Sequence, residues 1–125
     1  METNKFDYLK GKRTISLTTF YKNGKGVSTP VEFAHYNGKL YVSTRKESYK
    51  VRRLKNNQNA IIAPCTMRGK IIGPSVDVLV RILPQEEEEI AREALKVFYS
   101  SFFSKIMLKL MAWRDKSERV FLEIT

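Results

Sequence analysis

The alternation of apolar and polar residues predicts that this chain is built mainly of β-strands. The clearest case is 75–83, where four β-branched apolar residues alternate with Asp77, Leu79 and Arg81, the period of a half-buried strand. Asn-Gly pairs at 23–24 and 37–38 favour tight hairpin turns, so we expect the strands to form an antiparallel meander. Runs rich in β-branched and aromatic residues predict five more strands, at 14–21, 27–35, 39–44, 59–66 and 120–124.

Two other segments have the period of a helix. The short one, about 48–57, begins at the favourable N-cap residue Ser48 and repeats Val51 and Leu54 at helical spacing. The long one starts with the glutamates 86–89, which complement the helix dipole, and it continues with a wide apolar face.

The order of these elements predicts one mainly-β domain over residues 1–125. Five or six largely antiparallel strands with one short and one long helix suggest a small, partly open barrel with the helices packed outside it. The long helical region is either one helix or two with a break near Ser100. Its apolar face is wider than a small barrel needs, so we expect part of it to seal a homodimer.

The charge of the chain is strongly one-sided. The formal net charge is +10, and residues 1–84 hold 16 Lys and Arg against 5 Asp and Glu, whereas residues 85–125 hold 7 against 8. The excess of positive charge therefore lies in the part of the chain that is predicted to be mostly strands. Such a field attracts an acidic partner, whether nucleic acid, anionic lipid or a phosphorylated small molecule.

The composition excludes several classes of function. A single cysteine excludes an intramolecular disulfide, and a single cysteine with a single histidine gives too few ligands for a transition-metal site. The polar N-terminus shows no signal peptide, and no uncharged apolar run approaches membrane-spanning length. We therefore expect a cytoplasmic protein without a metal or a membrane partner. Glycine-rich nucleotide motifs and a Ser-His-Asp set are also absent, so an enzyme here needs a cofactor to carry the chemistry.

The most informative segment is 40–57, where a strand runs into the short basic helix. Ser48 and Lys50 lie in the first turn, where backbone N–H groups are free and the helix dipole is positive. Thr44 adds a hydroxyl at the end of the strand. This convergence predicts a site for a phosphate monoester, although a solvated, charged surface helix is the plainer alternative. Further cations surround the helix: Lys46, Arg52, Arg53 and Lys55.

A set of short motifs resembles the pyridoxamine 5′-phosphate oxidase-like, split-barrel flavin-binding superfamily. The chain looks closest to the small archaeal and actinobacterial members regarded as oxidoreductases dependent on the deazaflavin coenzyme F420. Each motif is short, but their order and spacing together are specific and cover nearly the whole chain. The motifs are Leu17–Phe20, Gly26–Val31, Gly38–Thr44, Ser48–Asn56, Ala63–Cys65, Arg68–Gly69 and Leu122–Ile124.

The resemblance implies an antiparallel, six-stranded split-barrel homodimer with a flavin-type cofactor, F420 or FMN, at the subunit interface. It implies that Thr44, Ser48 and Lys50 hold the cofactor phosphate, and that the backbone of 28–31 lines the redox ring. The segment 63–65 would lie close by and reach the cofactor of the other subunit. The cofactor-binding set predicted in this way is Ser28, Thr29, Pro30, Val31, Ser43, Thr44, Ser48, Tyr49, Lys50, Val51, Ala63, Pro64 and Cys65.

The resulting hypothesis is an oxidoreductase that exchanges hydride between this cofactor and a small organic substrate. The oxidases proper carry an arginine where this chain has Ser28 and Thr29, so pyridoxamine phosphate is not the expected substrate. The substrate, the direction of electron flow and the acid or base stay open, with Tyr36, Tyr41 and Tyr49 as candidate proton donors. Two alternatives are a non-catalytic FMN carrier or sensor and a nucleic-acid-binding barrel, but no RNP-like aromatic pair supports the latter.

Overall fold

A computed structural model describes residues 4–102 and 118–125, with side chains placed for all of these except 97–102. The described residues form seven strands and two α-helices, and single 3₁₀ turns at Asp7–Leu9 and Gln85–Glu87. In chain order the main elements are β1 (Thr14–Phe20), β2 (Gly26–Glu32), β3 (Ala34–Tyr36), β4 (Lys39–Arg45), α1 (Tyr49–Asn56), β5 (Asn59–Pro64), β6 (Val76–Ile82), α2 (Glu88–Phe102) and β7 (Arg119–Ile124).

The prediction of six strands is wrong by one, because the predicted strand 27–35 divides at Phe33. Before this residue β2 pairs with β1, and after it β3 pairs with β4. The Phe33 amide donates to the carbonyl of Arg13 at 3.4 Å, while its ring is buried in the core. The chain therefore changes neighbours at one residue, which alternation of side chains does not reveal.

The strands form one antiparallel sheet in the order β2-β1-β5-β6-β7-β4-β3. The predicted meander is wrong, since β1 pairs with β5 as well as with β2, and β7 lies between β6 and β4. The two edge strands, β2 and β3, follow each other directly in the chain, so the sheet curls until its edges approach. The result is the mainly-β, split-barrel architecture that the sequence predicts.

The inside of the barrel is filled by aliphatic side chains from every long strand. Helix α1 contributes Leu54, and the N-terminal segment contributes Phe6 and Leu9, each about 1% exposed. A second apolar cluster lies outside the sheet, where Ala91, Ala94 and Leu95 of α2 pack against side chains of β3 and β4. The helices therefore close and support the barrel.

Helix α2 continues through Ser100 to Phe102. The remainder of the predicted apolar helical region, 103–117, lies outside the described residues, and so does the part of the face expected to seal a homodimer. No described helix is both long and apolar enough to cross a bilayer.

Candidate functional site

An open cleft of about 800 Å³ lies between the edge strand β2 and the start of α1. Its floor is the first turn of the helix, and its far wall is the inward face of β2. The side chains that line it are Tyr21, Val27, Thr29, Arg45, Lys46, Glu47, Ser48, Tyr49, Lys50, Arg53 and Glu118. We call it the α1 cleft.

The first turn of α1 has the N-cap that the sequence predicts. The hydroxyl of Ser48 accepts a hydrogen bond from the amide of Val51 at 3.4 Å, and the buried side chains of Val51 and Leu54 anchor the helix to the barrel. The amides of Tyr49 and Lys50 form no hydrogen bond with any described residue, and both residues line the cleft. They are the donors that a helix start offers to an anion.

Lys50 extends from this turn towards the end of β4. Its ammonium group donates to the hydroxyl of buried Thr44 at 3.4 Å. Partial burial lowers the pKa of Lys50, and the positive charges of Arg53 and Arg119 lower it further. The ammonium group therefore lies in a positive field, which a bound anion would relieve.

Arg53 is the most unusual residue of the cleft, because its side chain is only 6% exposed. Its Nε donates to Thr19 Oγ1 at 2.6 Å, and the guanidinium carbon lies 5.3 Å from the centre of the Tyr21 ring. It forms no ion pair with any described residue. A buried charge without a counterion costs several kcal/mol, so an anion bound at this point would stabilise the folded protein.

The carboxylates of the cleft do not cancel its cations. Glu118 pairs with Lys46 at 3.3 Å near the solvent, where both side chains are largely exposed. Apart from this pair, the described lining of the cleft sets one further carboxylate, Glu47, against Lys50 and Arg53. The α1 cleft therefore carries a net positive charge, concentrated at the helix start.

Most of the predicted residues around α1 come together at the cleft. Ser48, Tyr49 and Lys50 line it, and Thr44 contacts it through Lys50. Val51 lies beneath the first turn with 1% exposure and its amide already donates to Ser48, so neither its side chain nor its amide is left for a ligand. Ser43 does not line the cleft, and its hydroxyl accepts a hydrogen bond from Arg119 Nε at 2.7 Å.

The predicted residues of β2 divide between the two faces of the strand. Thr29 lines the cleft, and its Oγ1 is buried without a partner among the described residues; Val31 packs on the core. The side chains of Ser28 and Pro30 alternate to the opposite face. There the Ser28 hydroxyl lies 2.6 Å from Thr18 Oγ1.

The predicted residues Ala63, Pro64 and Cys65 lie at the other end of the barrel. The Cys65 amide donates to the carbonyl of Thr14, at the start of β1, whereas the cleft is near the end of that strand. All three are buried, and burial raises the pKa of the Cys65 thiol. Within one chain they do not line the cleft, so their suggested contact across a subunit interface stays a prediction.

The predicted set omits several residues that line the cleft: Tyr21, Val27, Arg45, Lys46, Glu47, Arg53 and Glu118. A signal for Arg53 exists, because it follows Tyr49 by four residues and Lys50 by three, and so shares their helix face. No local signal marks Glu118, which reaches Lys46 only through the pairing of β4 with β7.

A second, smaller cleft of about 440 Å³ adjoins the first. It shares Tyr21, Tyr49 and Arg53 with the α1 cleft and adds Arg52 and Lys22. Arg52 stacks on the Tyr49 ring at 5.5 Å. The two clefts together form a continuous basic surface with tyrosines on it. No group of three or more His, Cys, Asp or Glu suited to a metal ion occurs among the described residues.

Comparison with known proteins gives one family and a consistent fold. The family model described as pyridoxamine 5′-phosphate oxidase matches residues 2–125. No curated protein sequence matches the chain significantly.

Solved structures similar to this chain include a conserved hypothetical protein of Mycobacterium tuberculosis, with a TM-score of 0.70, 18% identity and coverage of 100% of this chain and 80% of that one. A FAD-binding protein of Mesorhizobium loti has a TM-score of 0.63 and 19% identity over 93% of this chain and 80% of that one. The haem storage protein HutZ of Vibrio cholerae has a TM-score of 0.68 and 12% identity, with coverage of 95% of this chain and 84% of that one. At these identities the likeness extends to the fold alone.

Proposed function

Because this chain belongs to the pyridoxamine 5′-phosphate oxidase family, we propose that it is an oxidoreductase that uses a flavin-type cofactor, F420 or FMN. The phosphate of the cofactor binds at the start of α1. The ring exchanges hydride with a small organic substrate, and the protein binds and orients both. The FAD-binding protein of Mesorhizobium loti with the same fold supports a flavin-type ligand.

The observation that carries this proposal is the pair of cations at the cleft floor, Lys50 and Arg53. Lys50 is half-buried in a positive field, and Arg53 is buried without a counterion in the part of the chain that the structure describes. An anionic phosphate supplies negative charge here and accepts hydrogen bonds from both side chains. The free amides of Tyr49 and Lys50 add two more donors. The residues present therefore fit a cofactor phosphate, either the terminal one of FMN or the bridging one of F420.

The position of the ring follows from the opposite wall of the cleft. Thr29 of β2 faces the helix start across the cleft, and its Oγ1 is a buried polar atom that lacks a partner among the described residues. A ring with polar edges lying along β2 offers such a partner. The backbone of 28–31 then orients the ring, as the family resemblance predicts.

The choice between the two cofactors depends on the second cleft. FMN ends at its phosphate, whereas F420 carries an acidic oligoglutamate tail beyond it. Arg52 and Lys22 line a basic cleft next to the phosphate position. This surplus of positive charge favours F420, although FMN satisfies the α1 cleft equally well.

The proposal includes a homodimer with the cofactor between subunits, a small-molecule substrate and no nucleic acid. Residues 63–65 of each subunit would then approach the cofactor of the other. Cytoplasmic location remains a prediction, and no side chain is assigned as acid or base. A non-catalytic carrier with the same site would bind the cofactor without turnover.

The experiment that tests the proposal titrates FMN and F420 separately against the purified protein and follows cofactor fluorescence. Lys50→Ala should weaken binding of the true cofactor by about 1.5–3 kcal/mol, because a charge-assisted hydrogen bond to phosphate is lost. Lys55→Ala is the matched control, since Lys55 is an exposed lysine on the same helix. Unchanged affinity in Lys50→Ala, with the control also unchanged, would contradict the phosphate assignment.

Turnover separates an enzyme from a carrier. The reduced cofactor is mixed with the protein and a panel of electron acceptors, and its reoxidation is followed by absorbance. The proposal expects at least one acceptor to be reduced faster than without protein. If the protein binds the cofactor tightly but accelerates its reoxidation by none of the acceptors, a carrier or sensor is favoured over an enzyme.

A further inference from the structure

A buried hydroxyl on β1 occupies a position where the strand otherwise directs apolar side chains into the core. Ile15, Leu17 and Thr19 alternate along one face of β1, and the first two belong to the core of the barrel. Thr19 is fully buried. Valine has nearly the same shape and would fill this space without burying a polar atom, so packing alone does not account for the hydroxyl.

The partner of this hydroxyl among the described residues is the guanidinium group of Arg53. Arg53 Nε donates to Thr19 Oγ1 at 2.6 Å, a short, charge-assisted hydrogen bond. The ring centre of Tyr21 lies 5.3 Å from the guanidinium carbon, which adds a cation–π contact. Two separate contacts with β1 and the residue that follows it therefore hold the guanidinium group in place.

The two terminal nitrogens of Arg53 keep their capacity to donate hydrogen bonds. Neither has a hydrogen-bond partner among the described residues, and neither is a fully buried atom without a partner. Together they carry four N–H donors in one plane. Because Arg53 lines the α1 cleft, these donors are available to a ligand in that cleft.

The bond to Thr19 restrains the direction of these free donors. A guanidinium group is planar and rigid, so a restraint on its Nε–H bond also restrains its terminal nitrogens. A planar pair of donors matches two oxygens of one phosphate group. An arginine that is already restrained also loses less rotamer freedom when the ligand binds.

We propose that Thr19 is a positioning residue of the cofactor site and that, through Arg53, it determines the preference of the site for phosphorylated ligands. This inference rests on the proposed function, in which Arg53 binds the cofactor phosphate. Thr19 acts without touching the ligand, since its side chain is buried and lines neither of the two clefts.

A purely structural role for this hydrogen bond gives a different expectation. If the bond only anchors α1 to β1, its loss disturbs the whole cleft and weakens the binding of phosphorylated and dephosphorylated ligands alike. If the bond positions Arg53, its loss weakens the binding of the phosphorylated ligand alone. The ratio of the two dissociation constants separates these roles.

The test measures this ratio on the purified full chain, with riboflavin against FMN and with the deazaflavin that lacks phosphate and tail against F420. For the pair that the parent protein discriminates, Thr19→Val should reduce the ratio about 3- to 10-fold, as expected for one lost hydrogen bond. Binding of the dephosphorylated form should not change. Thr19→Ser keeps a hydroxyl and should retain most of the ratio, and Thr19→Ala replaces the valine variant if that variant does not fold.

A double-mutant cycle connects the effect to Arg53. Arg53→Met removes the donors that Thr19 orients, so the addition of Thr19→Val to it should change the ratio by less than about twofold. Thr18→Val is the matched control, because Thr18 is the neighbouring threonine and its Oγ1 also forms a hydrogen bond, at 2.6 Å from Ser28 Oγ. The control should leave the ratio unchanged, and thermal melting verifies that every variant is folded.

Three results would overturn the inference and leave the proposed function intact. They are an unchanged ratio in Thr19→Val beside a reduced ratio in Arg53→Met, equal losses of affinity for both forms of the cofactor, and additive effects of the two substitutions. A parent protein that does not prefer the phosphorylated form of either cofactor would contradict the proposed function, and the role of Thr19 would fall with it.

Discussion

At the scale of single residues, the positive charge of the α1 cleft lowers the free energy of unfolding of the ligand-free protein. Lys50 lies within a field set by Arg53 and Arg119, and the pKa of Lys50 is lowered as a result. Arg53 is buried without an ion pair among the described residues. Uncompensated charges of this kind persist where a ligand neutralises them. Removing one should therefore raise the stability of the ligand-free protein and weaken ligand binding.

Lys50→Met tests this opposition through the pH dependence of stability. The unfolded chain holds the lysine proton more tightly than the folded one, so the charged form lowers the free energy of unfolding at neutral pH. This penalty disappears as pH rises from the lowered pKa through the ordinary value of 10.5. The variant without ligand should therefore be slightly more stable at pH 7, by less than about 1 kcal/mol because the side chain is partly exposed.

Urea unfolding at pH 7 and again near the ordinary lysine pKa measures the effect. The advantage of Lys50→Met should shrink at the higher pH, while Lys55→Met, an exposed lysine of the same helix, should give no comparable gain. Equal stability of Lys50→Met and the parent protein at both pH values would mean that the field at Lys50 is negligible.

Residue-level prediction from sequence succeeds where the signal is local. The N-cap at Ser48 is confirmed, because an N-cap and a first turn are defined by consecutive residues, while the binding roles of Ser48, Tyr49 and Lys50 stay predictions. The sequence marks Arg53 as a charge but does not place it in the site, because its burial depends on Thr19 of β1 and on Tyr21 just after that strand. Burial of a charge is a property of the packed molecule, and sequence periodicity does not supply it.

At the scale of elements, strand and helix positions follow from sequence, but their pairing does not. The predicted helix at 48–57 and the strand at 39–44 agree with α1 and β4 within two residues. The pairing of β1 with β5 and of β4 with β7 joins segments far apart in the chain. Loop-closure entropy and core packing decide these pairings, and alternation within one strand carries no record of its partner.

A polar cluster centred on Glu123 links the sheet to the start of α2. The buried carboxylate of Glu123 accepts from Tyr41 and Arg81, each at 3.1 Å, and Arg81 also binds Glu87 through both guanidinium nitrogens. Burial and the charge of Glu123 raise the pKa of Tyr41 to about 12, so its hydroxyl remains a donor at neutral pH.

Two substitutions separate the buried and exposed parts of this cluster. Arg81→Met should lower the free energy of unfolding by about 1–3 kcal/mol, because Glu123 stays buried with one donor fewer. Glu87→Gln should change it little, since the Arg81–Glu87 pair is exposed. Chemical denaturation gives both values, and equal losses would show that the link to α2, and not the satisfaction of Glu123, is what stabilises this region.

At the scale of the whole molecule, the family and the fold are shown, but the cofactor and the reaction are not. The fold could be predicted because short motifs recur at family spacing, and the family model matches residues 2–125. The substrate could not be predicted, because neighbours of this fold include both a FAD-binding protein and a haem storage protein. The cleft chemistry of Lys50 and Arg53 therefore carries the proposal further than the fold does.

The most direct test compares each candidate cofactor with its dephosphorylated form. FMN is titrated against riboflavin, and F420 against the deazaflavin without its phosphate and tail, with dissociation constants from fluorescence. The account predicts that at least one phosphorylated form binds at least about tenfold more tightly than its partner, and that Lys50→Ala and Arg53→Met each reduce that ratio. If neither phosphorylated form binds more tightly than its counterpart, the α1 cleft does not hold a cofactor phosphate.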